Sequence, residues 1–254
     1  MKQMYVDLKG QVAVVTGGAT GIGREISKNF ARCGAKVIIN FSKSYIEAEE
    51  TVEEIKKNNG IATFFKADLT DKTQCHELFQ FCKKNHKSIN ILVANHGGVS
   101  TNSLTTDLTT EEWDNDFDLN CKSIYFCVRY GSPLMPNGGR IIVTSSISAK
   151  TGGPPGALPY CAAKGAINTM IKNWATEFAP KGITVNGVSP GVIWTRIHER
   201  RTTNEKKQEL ISRIPLNRVG QPHDLVGAYL LLSSQEGAYM TGQLLEVNGG
   251  LLFP

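Results

Sequence analysis

The sequence predicts an α/β protein with a doubly wound parallel sheet of about seven strands and helices on both faces of the sheet. Short apolar runs alternate with helix-like segments of ten or more residues along the whole chain. Unbroken apolar strands are typical of parallel sheets that are covered on both sides, and right-handed crossovers place helices there. The chain has 254 residues with no evident linker or repeat, so we expect one domain over residues 1–254.

The predicted strands are short apolar runs, and the first predicted helix is amphipathic. Ile22, Ile26 and Phe30 recur on one side of that helix, which ends at Gly34. The strands are predicted at residues 12–15, 36–39, 62–65, 89–93, 140–144, 183–188 and 243–247.

Capping signals mark the start of two later helices. Asp71 is a candidate N-cap. Thr109 and Glu112 have the spacing of a capping box, which opens a long helix that continues to about Tyr130. The later helices are predicted at residues 46–57, 71–84, 109–130, 160–178 and 224–232, with residues 194–217 irregular.

The composition argues against several classes of protein. The net charge of +5 comes from scattered basic residues, so no nucleic-acid partner is expected. The six cysteines lack C-x-x-C spacing and the five histidines lack metal-ligand spacing, which predicts free thiols and no metal site. Residues 1–10 have no apolar core, and no run reaches the ~18 apolar residues of a membrane span. We therefore expect a cytoplasmic protein with no membrane partner.

Tyr160 and Lys164 are the first candidate catalytic pair. Residues four apart lie on one face of a helix, so the phenol and the ammonium point into the same space. A nearby cation is expected to lower the pKa of the phenol towards the working range. Ser146 follows the fifth predicted strand, where open α/β sheets bind ligands. The alternative is a packed aromatic beside a solvated lysine.

A glycine-rich stretch, residues 16–23, lies between the first strand and the first helix. Gly17, Gly21 and Gly23 allow a tight turn, and the helix N-terminus that follows attracts a pyrophosphate. The spacing differs from G-x-G-x-x-G. The position in the chain predicts nucleotide binding, and the alternative is an ordinary glycine-rich loop.

The residues after the second strand indicate which nucleotide binds. No carboxylate, which would bind a ribose 2′-hydroxyl, occurs there before Glu47. Ser42, Lys43 and Ser44 instead offer hydroxyl groups and a cation to a 2′-phosphate, so NADP(H) is favoured over NAD(H). Arg24 could assist or could be a solvated residue of the first helix.

With these motifs in order, the sequence resembles the short-chain dehydrogenase/reductases, and among them the β-ketoacyl-carrier-protein reductases. The resemblance covers nearly the whole chain and implies a Rossmann-type sheet. Asn120, Ser146, Tyr160 and Lys164 match the family's catalytic tetrad. The resemblance implies hydride transfer between nicotinamide and a carbonyl or secondary alcohol, such as a 3-oxoacyl thioester or another small ketone.

The resemblance also implies a role for each matched residue. Tyr160 would be the acid or base, Ser146 would polarise the oxygen, and Lys164 would hold the cofactor ribose. Asn120 would anchor a relay water, or would act as a structural bridge in a kinked helix, and the two roles can coexist. The expected cofactor-binding residues are Gly17, Thr20, Gly21, Ile22, Gly23, Ser42, Lys43, Ser44, Asp68, Leu69, Asn95, Gly97, Tyr160, Lys164, Pro190, Gly191, Ile193 and Thr195.

Two positions leave alternatives open. Asp68 either hydrogen-bonds the adenine amino group or caps the turn at Thr70 and Asp71. The family's Asn-Asn-Ala-Gly is Ala94-Asn95-His96-Gly97 here. His96 either contacts cofactor or substrate, or simply replaces alanine at a tolerant turn.

The substrate-binding parts are the least specific. Residues 192–215 resemble the family's variable lid, in which His198, Glu199, Arg200 and Arg201 suit an anionic substrate or form a solvated helix face. The alternatives in function are an NAD(H)-dependent sugar, polyol or steroid dehydrogenase, or a nucleotide-binding protein without catalysis. The resemblance implies a homotetramer paired through the Tyr160 helix, with Ile167, Met170, Ile171 and Trp174 as expected contacts.

Overall fold

The structure, a computed structural model, describes residues 6–195 and 203–253. Its strands are β1 (Val12–Val15), β2 (Lys36–Phe41), β3 (Ile61–Lys66), β4 (Ile91–Ala94), β5 (Arg140–Thr144), β6 (Thr184–Pro190) and β7 (Leu244–Val247). Its helices are α1 (Gly21–Arg32), α2 (Tyr45–Lys57), α3 (Lys72–His86), α4 (Thr110–Phe117), α5 (Ser123–Gly131), α6 (Ser148–Thr151), α7 (Leu158–Phe178), α8 (Asn204–Ser212) and α9 (Val226–Ser233).

All seven strands of the described sheet are parallel, in the order β3-β2-β1-β4-β5-β6-β7. The chain adds strands in one direction up to β3, returns to place β4 beside β1, and then proceeds in the other direction. The order therefore reverses between β1 and β4, and ligands of such sheets bind beyond the carboxyl ends of the strands at this point. The predicted fold class is confirmed.

Both faces of the sheet are covered, which explains the unbroken apolar strands. Val12 and Val14 of β1 pack with α3, α5 and α7, whereas Ala13 and Val15 pack with α1, α2 and α9. Successive side chains of a strand point to opposite faces, so each strand contributes to two hydrophobic cores.

The helix starts follow the predicted capping chemistry. Asp71 accepts a hydrogen bond of 2.8 Å from the backbone N–H of Thr73. Thr109 and Glu112 form the reciprocal capping box at the start of α4. The long helix predicted after them is interrupted by a π-helical turn at Asp118–Lys122, after which α5 continues. Such a turn inserts an extra residue and often marks a functional site.

Part of the stretch predicted to be irregular, residues 194–217, is helical. α8 begins after Thr203, whose side chain caps the backbone N–H of Lys206 at 3.3 Å. None of its residues is buried, which explains why apolar residues do not recur at helical spacing in this part of the sequence. The ammonium of Lys207 instead lies 4.1 Å from the ring centroid of Trp194. Of the predicted lid, residues 196–202, which include His198, Glu199, Arg200 and Arg201, lie outside the described residues.

The prediction of tetramer contacts on α7 is wrong for three of its four residues. Ile167 and Ile171 are fully buried in the chain's own core, and Trp174 is buried beside them. Met170 is partly buried, with its sulfur 3.6 Å from the sulfur of Cys121. The apolar face of α7 covers the sheet, because a helix on a parallel sheet must bury its own apolar stripe first.

The described residues include neither a membrane-spanning helix nor a metal-binding cluster. None of the helices in residues 6–195 and 203–253 is long and apolar enough to cross a membrane. Nor do the same residues contain a cluster of three histidine, cysteine or acidic side chains that could bind a metal.

Two isoleucines test the placement of the core. Ile38 in β2 is 0% exposed, whereas Ile46 in α2 is 67% exposed. We expect Ile38→Ala to lower the free energy of unfolding by about 2–5 kcal/mol, because it removes buried methyl groups and leaves a cavity. Ile46→Ala should change it by less than about 0.5 kcal/mol. Urea denaturation measures both, and equal losses would contradict this fold.

Candidate active site

A cleft of about 480 Å³ opens at the carboxyl edge of the sheet, beside the point where the strand order reverses. It is lined by Gly17, Ala19, Thr20, Gly21, Ile22, Phe41, Ser42, Lys43, Ser44, Asn95, His96, Gly97, Gly98, Leu119, Thr144, Ser145, Ser146, Tyr160, Lys164, Pro190, Gly191, Ile193 and Thr195. The structure thus brings sixteen of the predicted site residues into one cavity, and the remaining four, Gly23, Asp68, Leu69 and Asn120, lie outside its lining.

The glycine-rich loop has the shape of a phosphate cradle. Gly17 and Gly21 have φ angles of +59° and +52°, a region that favours glycine. A Cβ on Gly23 would lie 2.2 Å from the carbonyl oxygen of Gly17, so only glycine fits there. α1 begins at Gly21, and its first backbone N–H groups are free to bind an anion. These residues fit the pyrophosphate of a dinucleotide.

The end of β2 presents a cation to the same cleft. Lys43 is exposed and makes no ion pair with any residue in 6–195 or 203–253. Arg24 differs, because its guanidinium lies 3.1 Å from Glu54 and 3.7 Å from Glu50. Of the two cations considered from the sequence, only Lys43 is available to a 2′-phosphate.

Asp68 and Leu69 lie beside the cleft rather than in its wall. Asp68 accepts hydrogen bonds from the backbone N–H and the hydroxyl of Thr70, at 3.0 and 2.7 Å. Leu69 is 3% exposed and belongs to the core. The contacts of Asp68 within the described chain are those of the turn cap.

Residues 190–195, at the end of β6, lie against the glycine loop. The backbone N–H of Gly191 donates to Val247 at 3.0 Å, and Ile193 is buried. The side chain of Thr195 comes within 3.5 Å of the place where a Cβ of Gly21 would lie. The predicted cofactor-binding residues of segment 190–195 therefore lie next to the predicted phosphate-binding loop.

Tyr160, Lys164 and Ser146 meet at the floor of the cleft. α7 places the Lys164 ammonium 5.7 Å from the ring centroid of Tyr160. Lys164 is 2% exposed, and its Nζ donates to the carbonyl oxygen of Thr144 at 2.9 Å. Tyr160 and Ser146 both line this cleft. The alternative of a solvated lysine beside a packed aromatic is excluded.

The pKa of Tyr160 beside Lys164 differs from the value expected from the sequence. Burial raises the pKa of Tyr160 above its usual value, and the neighbouring Ser146 hydroxyl offsets only part of that effect. Burial also lowers the pKa of Lys164 to about 8. The expected lowering of the Tyr160 pKa is therefore wrong, because desolvation of the phenol exceeds the stabilisation of the phenolate by its neighbours.

Asn120 lies in the π-helical turn, beneath the cleft. Its Nδ2 donates to the carbonyl oxygens of Gly98 and Asp116, at 2.8 and 2.9 Å, and its Oδ1 accepts from the Gly98 N–H at 2.9 Å. A Cβ on Gly97 would lie 2.6 Å from this Oδ1 and 3.2 Å from Nζ of Lys164. Gly97 thus permits close approach of the two side chains. The side chain of Asn120 makes the bonds of a structural bridge.

His96 is a brace between two parts of the site. Its Nδ1 and Nε2 lie 2.7 Å from the hydroxyls of Thr16 and Ser123. Since the Ser123 hydroxyl donates to the carbonyl oxygen of Leu119, it accepts from His96, so Nε2 carries the proton. Nδ1 then accepts from the Thr16 hydroxyl at 2.7 Å, because the other acceptor near that hydroxyl, the carbonyl oxygen of Val93, is farther away at 3.3 Å. A neutral imidazole satisfies both bonds, and the turn is not a tolerant one.

The His96 ring is neutral because burial and the nearby charge of Lys164 lower its pKa to about 3. The residue lines the cleft, but both ring nitrogens are used within the protein. Its signal in the sequence was the departure from the family's alanine. Sequence reasoning also missed Thr144 and Ser145 in the cleft wall, although both directly precede Ser146 at the end of β5.

His96→Ala tests the brace through stability and its pH dependence. We expect a loss of about 1–3 kcal/mol in the free energy of unfolding at pH 8, because two buried hydroxyls lose a partner. A group with a depressed folded-state pKa stabilises the protein above its unfolded value of 6.5 and loses this effect as pH falls. The difference between parent and variant should therefore shrink between pH 8 and pH 5.

His223→Ala is the matched control, because the His223 side chain is 69% exposed. It should change the free energy of unfolding by less than about 0.5 kcal/mol. A parent-to-variant difference at His96 that grows on acidification would contradict the assignment of a neutral ring.

Comparison with known proteins identifies the family. Residues 17–252 match the family model described as enoyl-(acyl carrier protein) reductase. The chain is 37% identical over 253 residues to elsinochrome reductase 1 of Elsinoe fawcettii, covering 95% of this chain and 94% of the relative. It is 36% identical over 253 residues to a trihydroxynaphthalene reductase of Pestalotiopsis fici, covering 95% and 89%.

A solved structure agrees with these relatives. A blue fluorescent protein from a metagenomic library, solved in complex with NADPH, superimposes with a TM-score of 0.91 at 28% identity. The match covers 97% of this chain and 100% of that one. Because the family model and the relatives span nearly the whole sequence, the chain belongs to the short-chain dehydrogenase/reductase family of oxidoreductases.

Proposed function

We propose that the protein is an NADP(H)-dependent carbonyl reductase that interconverts a small ketone and its secondary alcohol, with Tyr160 as the acid or base. One observation carries the proposal: Tyr160 and Ser146, with buried Lys164 beside them, line the same cleft as the glycine loop. A polar floor and a phosphate cradle in one cavity suit hydride transfer from a dinucleotide.

Ser146 and Tyr160 act on the oxygen of the ketone. A bound nicotinamide would supply or accept the hydride. Ser146 donates a hydrogen bond to the carbonyl oxygen, which polarises it. Tyr160 transfers its proton to that oxygen, and its raised pKa keeps the phenol protonated at neutral pH. This protonation state favours the use of Tyr160 as an acid, as ketone reduction requires.

Lys164 has two contributions. Its bond to the carbonyl oxygen of Thr144 fixes the ammonium at the end of β5, in the cleft wall, where it would bind the ribose of a cofactor. With its pKa lowered to about 8, it can exchange a proton near neutral pH and thereby resupply Tyr160. Asn120 supports this arrangement by holding Gly98 in place.

Lys43 and the adjacent serines support NADP(H) rather than NAD(H). The cation is exposed at the cleft and pairs with no described carboxylate, so a 2′-phosphate would gain an ion pair without displacing another. The NADPH complex of the metagenomic relative is consistent with this choice. Two fungal relatives are named for the reduction of elsinochrome and of a trihydroxynaphthalene, so a substrate panel should hold compounds of these kinds beside 3-oxoacyl thioesters.

Tyr160→Phe tests the chemistry. Loss of the hydroxyl should lower kcat for ketone reduction by about 10²–10⁴-fold, because proton donation is lost. NADPH binding, measured by fluorescence titration, should change little. Tyr239→Phe is the control, since Tyr239 is fully exposed. Full NADPH affinity without turnover of any ketone by the parent protein would instead support a non-catalytic binding protein.

Lys43→Ala tests the cofactor. The KM for NADPH should rise by about tenfold, the equivalent of one charge-assisted contact of ~1.4 kcal/mol, while the KM for NADH should stay unchanged. Lys66→Ala is the control, because Lys66 is exposed at the end of the neighbouring strand β3. An equal rise for both cofactors, or a parent that prefers NADH, would contradict the 2′-phosphate assignment.

A further inference from the structure

The side chain of Tyr229 places a hydroxyl group inside an apolar core. Tyr229 in α9 is 0% exposed and belongs, with Ile142 and Leu225, to the core on the α1 side of the sheet. A phenylalanine would fill the same space without a polar group, and a buried hydroxyl costs free energy unless it is hydrogen-bonded. The hydrogen bond of this hydroxyl therefore explains why a tyrosine is present.

Within the residues that the structure describes, the hydroxyl of Tyr229 is bonded to the hydroxyl of Thr144, at 2.7 Å. The Thr144 hydroxyl donates its own proton to Oδ1 of Asn95 at 3.2 Å. The orientation of the Asn95 amide is fixed by Thr16, whose carbonyl oxygen accepts from Nδ2 at 3.1 Å. Thr144 therefore accepts from Tyr229. Burial raises the pKa of Tyr229, which keeps the phenol protonated for this bond.

Thr144 also carries the carbonyl oxygen that binds Lys164. It is the last residue of β5, and the pairing of β5 with β4 ends one residue earlier, at Val143. The ladder with β4 therefore does not hold the backbone of Thr144. Its carbonyl oxygen accepts from Nζ of Lys164 at 2.9 Å. The position of this one residue thus determines where the buried ammonium lies.

The two contacts of Thr144 join helices on opposite faces of the sheet. Tyr229 places α9 in one core, whereas Ile167 and Ile171 place α7, which carries Lys164, in the other. Tyr229 and Lys164 share Thr144 as a hydrogen-bond partner and are not bonded to each other. Any effect of the phenol on the ammonium passes through Thr144.

We propose that Tyr229 is a positioning residue of the site: its hydroxyl fixes Thr144 at the end of β5, so that the carbonyl oxygen of Thr144 holds the Lys164 ammonium where a cofactor would bind. The inference rests on the proposed function, in which Lys164 binds the ribose of NADP(H). Without the phenol, the Thr144 hydroxyl keeps only its contact with Asn95, and the ammonium loses its fixed position.

Tyr229→Phe tests the role, because it removes the hydroxyl and keeps the ring. The dissociation constant for NADPH, measured by fluorescence titration, should rise by about threefold to tenfold, the size of one hydrogen bond. The kcat for ketone reduction should fall by a similar factor. An NADPH affinity and a kcat equal to those of the parent would overturn the proposal.

Lys164→Met provides the background that shows whether the effect passes through the ammonium. Methionine keeps a long side chain at this buried place and removes the charge. In this background, Tyr229→Phe should change the dissociation constant for NADPH by less than about 1.5-fold, because no ammonium is left to position. The same rise in both backgrounds would show that Tyr229 supports the fold alone, and the proposal would be overturned.

Thr144→Val gives a second background that leaves Lys164 intact. It removes the hydroxyl partner of Tyr229, keeps the shape of the side chain and retains the backbone carbonyl. The double variant with Tyr229→Phe should bind NADPH no more weakly than Thr144→Val alone, since removal of both partners leaves no unpaired hydroxyl. A further loss as large as that in the parent would mean that the phenol acts elsewhere, and would contradict the proposal.

Ser233→Ala is the matched control. It removes another buried hydroxyl of α9, one helical turn after Tyr229, whose bond goes to the carbonyl oxygen of Leu230 in the same helix at 3.1 Å. NADPH affinity and kcat should stay within about twofold of the parent values. A loss equal to that of Tyr229→Phe would show that any weakening of α9 disturbs the site, and would overturn the specific role.

The NADPH titration needs no turnover, so it separates this inference from the proposed function. If the parent bound NADPH and reduced no ketone, while the effect of Tyr229→Phe disappeared in Lys164→Met, the proposed reaction would fail and the positioning role would stand. If the parent reduced ketones and the effect was equal in both backgrounds, the inference alone would fail. A parent that bound neither NADPH nor NADH would overturn both.

Discussion

The site depends on the bond between the buried ammonium of Lys164 and the carbonyl oxygen of Thr144. An amine this deeply buried is costly unless it is hydrogen-bonded, and the free carbonyls where a parallel strand ends supply the acceptor. The bond ties α7 to the end of β5 and so determines where Tyr160 lies relative to Ser146. Burial then acts on protonation: it lowers the pKa of Lys164 and raises the pKa of Tyr160.

A second polar network links the cofactor loop to this centre. His96 joins Thr16, at the end of β1, to Ser123, which follows the π-helical turn. Asn120 in that turn holds Gly98, and Gly97 lies between Asn120 and Lys164. Buried polar groups that satisfy one another hold a single geometry, because any displacement leaves an unpaired donor or acceptor. The glycine loop and Tyr160 are therefore positioned together.

Much of the fold follows from local signals in the sequence. The unbroken apolar strands, the cap at Asp71 and the capping box at Thr109 all formed as predicted. The π-helical turn and α8 could not be predicted from local signals. The π-helical turn changes the helix geometry without changing the apolar pattern, and α8 has no buried face. Ile167 and Ile171 were assigned to a subunit contact because the sequence shows that a side chain is apolar, not which surface covers it.

The sequence by itself determined the sheet, the glycine loop and most of the residues that meet at the carboxyl edge, because these depend on periodicity, turn chemistry and chain order. Only the tertiary structure decided the electrostatics: that Tyr160 becomes a weaker acid, that Arg24 is held by Glu54 and that His96 is a neutral brace. Such properties depend on desolvation and on partners from distant parts of the chain. Neither is encoded in local spacing, since each appears only when the elements pack together.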